Sequence, residues 1–402
     1  MDKWNINGLD KSFYEDPFYD KVLGCIYGSV LGDAYGLSTE LLNKDQILKI
    51  YGSTQIPFPS NIKTSHSCRW PKGDWTDESD QMILVLESLV ETNGKADDIN
   101  YAKKLQKWMT SGFQELGDSC GIGSSSTSIV LQNQFISNPL FVSEKNWVTS
   151  GRRMANNGAL SRAAVIGCLH HDKMAAIISN STLLCKVTHF DQRCVTSSNA
   201  LSLAIAILLQ NSDKKQQCTT PSSMSSRCSE SHRSNEEIER LIEETVKGCC
   251  GMMTNLQERV EFEEIMFNTS LESLNLSYSD SISYVFKALG AGFWGLRSHY
   301  SFKDTLNLIV REGGDSDCNA FVAGSLLGCQ FYHHNKPFAF TKFRSWIRII
   351  YEAIPVPSPK TKYTVKRLCS DFINYYASTK GYYIFTFNII LMKNQKKLTN
   401  KT

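Results

Sequence analysis

Four glycines spaced four apart, Gly24, Gly28, Gly32 and Gly36, lie in a stretch patterned as a helix from about Lys21 to Leu37. At 3.6 residues per turn, that spacing places them close to one strip of the helix surface. Each glycine inside a helix costs about 1 kcal/mol relative to alanine, so the strip needs compensation, most simply the close approach of another backbone. Ala320, Gly324 and Gly328 repeat the strip in a second helical run late in the chain. These two helices are expected at the centre of a bundle, carrying Asp33 and Asp315 to its core.

Most of the remaining chain also reads at helical period, and strand-like alternation is nearly absent before the last residues. Met82, Ile83, Leu86, Leu89 and Val90 form one apolar stripe, and Leu201, Ala204, Ile205, Leu208 and Leu209 form another. The expected class is all-α, a compact orthogonal helical bundle. Residues 211–235 shift to Ser, Thr, Gln, Lys and Arg and are expected to be a mobile insertion, whereas 357–402 ends strand-like and then basic, as an uncertain tail.

The 402 residues, with 42% hydrophobic and 21% charged content, fit one large globular domain or two. A net charge of +3, with Lys and Arg scattered, argues against nucleic acid or a membrane as partner. The apolar runs 200–209 and 382–392 fall short of the roughly 20 residues that a membrane-spanning helix needs. Thirteen cysteines without a CxxC pair, and a polar start lacking a signal-peptide core, point to a reducing cytoplasmic or nuclear setting. Oligomeric state is not legible.

Two acidic clusters, Thr76-Asp77-Glu78 and Asp315-Ser316-Asp317, each open directly into an apolar helical run. Carboxylates are favoured in the first turn of a helix, so capping alone could account for either. One side chain per helix suffices for an N-cap, however, and here two or three oxygen donors stand together. Such crowding asks for a cation. Oxygen donors suit Mg²⁺, Mn²⁺ or Ca²⁺, and neither cluster has the Cys or His spacing of a zinc site.

Five motifs follow in order: GCIYGSVLGDAYGLSTE (24–40), GDWTDESDQM (73–82), NNGALSR (156–162), VTHFD (187–191) and EGGDSDCNAFVAGSLLG (312–328). This series resembles the ADP-ribosylglycohydrolase family over about residues 20–335, and its specificity lies in the order of the motifs. The resemblance implies an all-α fold around a binuclear Mg²⁺ or Mn²⁺ site that binds ADP-ribose or ADP-ribosylated protein and hydrolyses the bond from the terminal ribose to its acceptor. The family's W-T-D-D motif falls on Trp75, Thr76, Asp77 and Glu78, and its G-D-x-D-T motif on Gly314 to Cys318. Thr76, Asp77, Glu78, Asp315, Asp317 and Cys318 are thereby the implied metal ligands.

Glu40 stands where relatives hold an acidic residue after their G-D-x-x-G helix; Glu40, Asp77 and Asp317 are the candidates for proton transfer. The segment Arg152, Arg153, Met154, Ala155, Asn156, Asn157 and Gly158 resembles a loop that wraps phosphates and ribose in relatives. His189, on the family's T-H pair, either touches substrate or is a core residue. Arg162 reads as a structural arginine paired with a core carboxylate, and Gly121-Ile122-Gly123 as a weak phosphate cradle. Glu78 stands in place of the usual second Asp, and Cys318 in place of a hard hydroxyl, exchanging oxygen for a sulfur that Mg²⁺ binds poorly. Those two departures leave a catalytically silent ADP-ribose binder or structural protein as the alternative.

Overall fold

A methyl group added to Gly24, Gly28 or Gly32 would fall on the backbone carbonyl of Gly328, Gly324 or Ala320, and one added to Gly36 on that of Ser316. The two small-residue strips therefore pack on each other, backbone to backbone. The computed structural model describes residues 17–58, 60, 64–71, 73–113, 119–169, 171–215 and 233–330. Within these the α-helices are α1 (Pro17–Gly36), α2 (Lys44–Tyr51), α3 (Asp77–Glu91), α4 (Asp98–Ser111) and α5 (Ser124–Val130). There follow α6 (Pro139–Thr149), α7 (Leu160–Cys168), α8 (Met174–Lys186), α9 (Gln192–Lys215) and α10 (Asn235–Cys249). The last are α11 (Leu256–Met266), α12 (Val285–Arg297), α13 (Phe302–Glu312) and α14 (Ser316–Gln330). No strand occurs among the described residues; Asn156 and Tyr284 form an isolated antiparallel bridge. The fold is all-α.

The α1–α14 seam lies between two apolar cores. Cys25, Ile26, Phe321 and Val322 face the larger one, while Tyr35, Ala320, Ala323 and Leu327 face the smaller. Both stripes read from the sequence are buried except at Val90, which is partly exposed. The segment Gln192–Gln210 of α9 is long and apolar enough to cross a membrane, longer than the ten-residue run anticipated. With 89% of that window buried among other helices, it is the central rod of the larger core.

Helix α9 runs to Lys215, inside the segment expected as an insertion, and α10 begins at Asn235 with a Ser234–Glu237 capping box. Residues 216–232 and the tail 357–402 lie outside the described residues.

Candidate metal centre and active site

The N-termini of α3 and α14 converge, each bringing one acidic cluster. Thr76 is the N-cap of α3. Asp33, carried inward by α1, then reaches across: it accepts from Thr76 N (3.0 Å), Thr76 Oγ1 (2.7 Å), Ser79 N (2.9 Å) and Ser79 Oγ (2.6 Å). Helix capping is thus provided by Thr76 and Asp33, and Asp77 and Glu78 are left for another task. Thr76 Oγ1 also lies 3.1 Å from Asp317 Oδ2, but a hydroxyl has one proton and donates to one carboxylate at a time.

The loop before α14 is set by Gly313 and Gly314, at φ 73° and 77°, a region costly for other residues. A Cβ on Gly314 would also meet the Leu276 carbonyl. This conformation lets Leu41 N donate to Gly314 O (2.8 Å) and Gly314 N to Leu42 O (2.9 Å). Thr39 Oγ1 donates to Val310 O (2.7 Å), and Ser316 Oγ to Gly36 O (2.8 Å). The turn after α1 is stitched to the loop before α14, and Glu40 arrives beside Asp315 and Asp317.

No Lys or Arg among the described residues forms an ion pair with Asp33, Asp77, Glu78, Asp315 or Asp317. Burial and then the neighbouring Asp317 push Asp33 up to about 7 and Asp77 up to about 8. Burial and then Asp315 push Asp317 to about 8. Glu40 and Glu78 are raised well above the carboxylate range, first by burial and then by the other acids. Glu78 is 6% exposed, and its Oε2 is buried without a hydrogen-bond partner. Carboxylates packed this way lack positive charge, which a divalent cation supplies. Among the described residues, Glu78, Asp315 and Cys318 each offer a donor atom within 4.8 Å of the others. The oxygen donors fit a hard cation; the Cys318 sulfur does not.

The segment 152–158 divides. Arg152, at φ 60°, is exposed and lies over the Trp147 ring at 5.4 Å, and Arg153 is exposed too. Neither forms an ion pair with the carboxylates. Met154 is partly buried and Ala155 fully, with Ala155 O accepting from Val285 N (3.0 Å). Asn156 donates to Ser283 Oγ (3.1 Å), and Asn157 N to Ser283 O (2.9 Å). The Asn157 side chain stands beside Asp315, where it lowers a carboxyl that burial raises. Gly158 packs on the His189 ring at 3.5 Å from where its Cβ would be. His189, 5% exposed, has Thr188 Oγ1 at 2.8 Å from Nδ1, and burial with nearby Arg162 holds its pKa down at about 3. It is neutral and buttresses the loop from below. Gly121 lies against Asp77 Oδ1, and the α5 that follows is a single short helix of seven residues.

Arg162 is structural, but its partners correct the sequence reading. Its guanidinium donates to Leu184 O (3.0 Å) and Gln81 Oε1 (2.8 Å) and lies over the Tyr101 ring, while Gln81 Nε2 donates to Asp77 Oδ2 (2.8 Å). The arginine holds a carboxylate through an amide, not directly. Three other residues went unrecognised as part of the site. Asp80 is clamped by two indoles, accepting from Trp75 Nε1 (2.8 Å) and Trp108 Nε1 (3.0 Å). Gln81 is the relay just described. His66 meets Glu40, and only the lone TSHSCRW segment could have hinted at it.

A family profile described as ADP-ribosylglycohydrolase matches residues 15–334. An uncharacterized protein of Archaeoglobus fulgidus is 26% identical over 311 residues, 77% of this chain and 88% of that protein. ADP-ribosylarginine hydrolase Tri1 of Pseudomonas putida is 21% identical over 336 residues, 81% of this chain and 75% of that one. A solved structure titled ADP-ribosylglycohydrolase-related protein complex superposes with a TM-score of 0.55 at 17% identity, covering 90% of this chain and 99% of its own, a likeness of fold.

Proposed function

The chain belongs to the ADP-ribosylglycohydrolase family, and from that premise we propose that it cleaves the glycosidic bond between ADP-ribose and a modified protein side chain or small acceptor with the help of divalent cations. The observation that carries the metal-dependent reading is the group of buried carboxylates at two converging helix N-termini, with no basic side chain among the described residues paired to them.

Thr76, Asp77, Glu78, Asp315, Asp317 and Cys318 would hold the cations, Mg²⁺ or Mn²⁺ at the oxygen-rich position. Bound there, a divalent cation supplies the missing positive charge, fixes ribose hydroxyls and acidifies water. The side chains do the rest. Breaking the anomeric bond builds positive charge on the ribose, which carboxylates in a poorly solvated pocket stabilise. Glu40 borders the cluster from the side of the α1 turn, partly exposed, where a proton can pass to the leaving group or from the incoming water. Asp77 and Asp317 are the other proton-transfer candidates. Arg152, Ala155 and Asn157 spend their backbone N–H groups on Trp147 O, Arg153 O and Ser283 O, so the remaining N–H groups of the 152–158 loop are the ones offered to the substrate's phosphates, with Arg152 and Arg153 side chains at its open end for the diphosphate charge.

The test is release of ADP-ribose from mono-ADP-ribosylated protein with Mg²⁺ or Mn²⁺ and with chelator, wild type against an Asp315→Ala, Asp317→Ala double variant. Release that needs the metal and vanishes in the variant supports the reading. ADP-ribose binding without release makes the protein a silent binder.

A further inference from the structure

Glu78 and Cys318 lie far apart in sequence, and neither cluster alone has zinc spacing. Folding removes that objection, because Glu78, Asp315 and Cys318 bring one donor atom each to within 4.8 Å of the others. We infer that this corner binds a thiophilic divalent cation of the zinc and cobalt class, through a Cys318 thiolate, in preference to Mg²⁺. The inference rests on the metal-dependent reading above and names the ion at one of its positions.

Three observations converge on it. First, the donor set is mixed: two carboxylates and a sulfur match the O and S ligands of zinc, whereas Mg²⁺ takes oxygen in near-ideal octahedra. Second, Glu78 is 6% exposed with a buried Oε2 lacking a hydrogen-bond partner, so a side chain beside the sulfur carries an unspent acceptor. Third, the three donor atoms already stand within 4.8 Å of one another, close to the separation of about 3.3–3.7 Å that metal bonds of about 2.0–2.3 Å set around one tetrahedral ion. Three protein donors is also the number found in zinc sites with an open position. Cys318 is fully buried, while Asp315 is partly exposed and gives the ion its way in.

Binding breaks the Cys318 S–H bond as the sulfur–metal bond forms, and the proton leaves to solvent. The replacement of a hydroxyl by a thiol thus changes which ion is held without emptying the position.

The experiment uses the full chain, stripped by chelator and titrated with Co²⁺ as a spectroscopic stand-in for zinc. Wild type should develop a sulfur-to-cobalt charge-transfer band in the near ultraviolet that Zn²⁺ abolishes and about a hundredfold excess of Mg²⁺ leaves intact. Cys318→Ser should bind Co²⁺ without the band. Glu78→Gln, a near-isosteric change, should keep the band but weaken Co²⁺ at least about tenfold, and it serves if the serine variant fails to fold. Co²⁺ bound by the wild type with no sulfur band, or a band that persists in Cys318→Ser, overturns the inference and leaves the metal-dependent function standing. Failure of the wild type to bind any divalent ion by equilibrium dialysis overturns both.

Discussion

His66 Nε2 lies 2.7 Å from Glu40 Oε2. Burial, then the neighbouring Arg69, lower His66 to about 4, so at neutral pH the ring is uncharged and the contact is a close polar approach, neither an ion pair nor a well-aligned hydrogen bond, with Oε2 left as an unspent acceptor. Arg69 lies 2.8 Å from His66 Nδ1 and stacks over Trp70, fixing the ring from behind. His66 is therefore placed to hold the Glu40 carboxyl in position by contact. His66→Ala should lower kcat about tenfold with KM little changed, and His66→Gln, which keeps a donor, should recover part of the loss. Equal losses in both variants would argue for a packing role alone.

The glycine seam makes a stability prediction. At Gly32 a Cβ would strike the Ala320 carbonyl, so Gly32→Ala must push two packed helices apart. Overpacking of this kind should cost about 3 kcal/mol, read as a lower urea midpoint. Gly251→Ala, where no atom lies within 4 Å of the added methyl, should stay within about 0.5 kcal/mol.

The carboxylates predict how the metal-free protein responds to alkali. Asp33 at about 7 and Asp77 and Asp317 at about 8 bind protons in the folded state that the unfolded chain, at ordinary values near 3.8, has already lost. Stability from a raised pKa is present below the unfolded value and is lost as pH rises through the folded one. His66 and His189 act in the opposite sense, but only below their ordinary 6.5. Between pH 6.5 and about 8 the carboxylates act alone, and the melting temperature without metal should fall. Added Mn²⁺ should reverse the fall at pH 8 more than at pH 6.5. A melting curve flat with pH in chelator would contradict the raised values.

Sequence periodicity sufficed for the helical class and for the seam, because a glycine strip of fixed spacing has few other uses. Both acidic clusters were legible since each sits at a helix start with more oxygen than capping requires. What escaped was the set of side chains whose role depends on approach across the fold. Asp80 has no pattern of its own inside GDWTDESDQM, and one of its two indole partners, Trp108, arrives from α4. Gln81 and His66 carry no local pattern at all. Cys318 read as a defect in an oxygen site because its partnership with Glu78 forms only when α3 meets α14. Asp80 gives its own test: in Asp80→Asn an amide faces one of two buried indole N–H groups, with an expected loss of about 2 kcal/mol.

The Arg162–Gln81–Asp77 relay separates holding a carboxylate from neutralising it. Gln81 Oε1 accepts a hydrogen bond from the Arg162 guanidinium at 2.8 Å and its Nε2 donates one to Asp77 Oδ2 at 2.8 Å, so Arg162 orients Asp77 while its charge stays one residue away. A direct salt bridge would consume the negative charge that a cation needs. Gln81→Glu should therefore do two opposed things. It gives Arg162, 1% exposed, a charged partner and should preserve or raise stability; it also turns the donor facing Asp77 into another acid. Activity should fall at least about tenfold while the melting temperature holds. Gln81→Leu should lower both, since it strands a buried guanidinium N–H. Parallel loss of stability and activity in Gln81→Glu would mean that the amide serves packing and not the placement of Asp77.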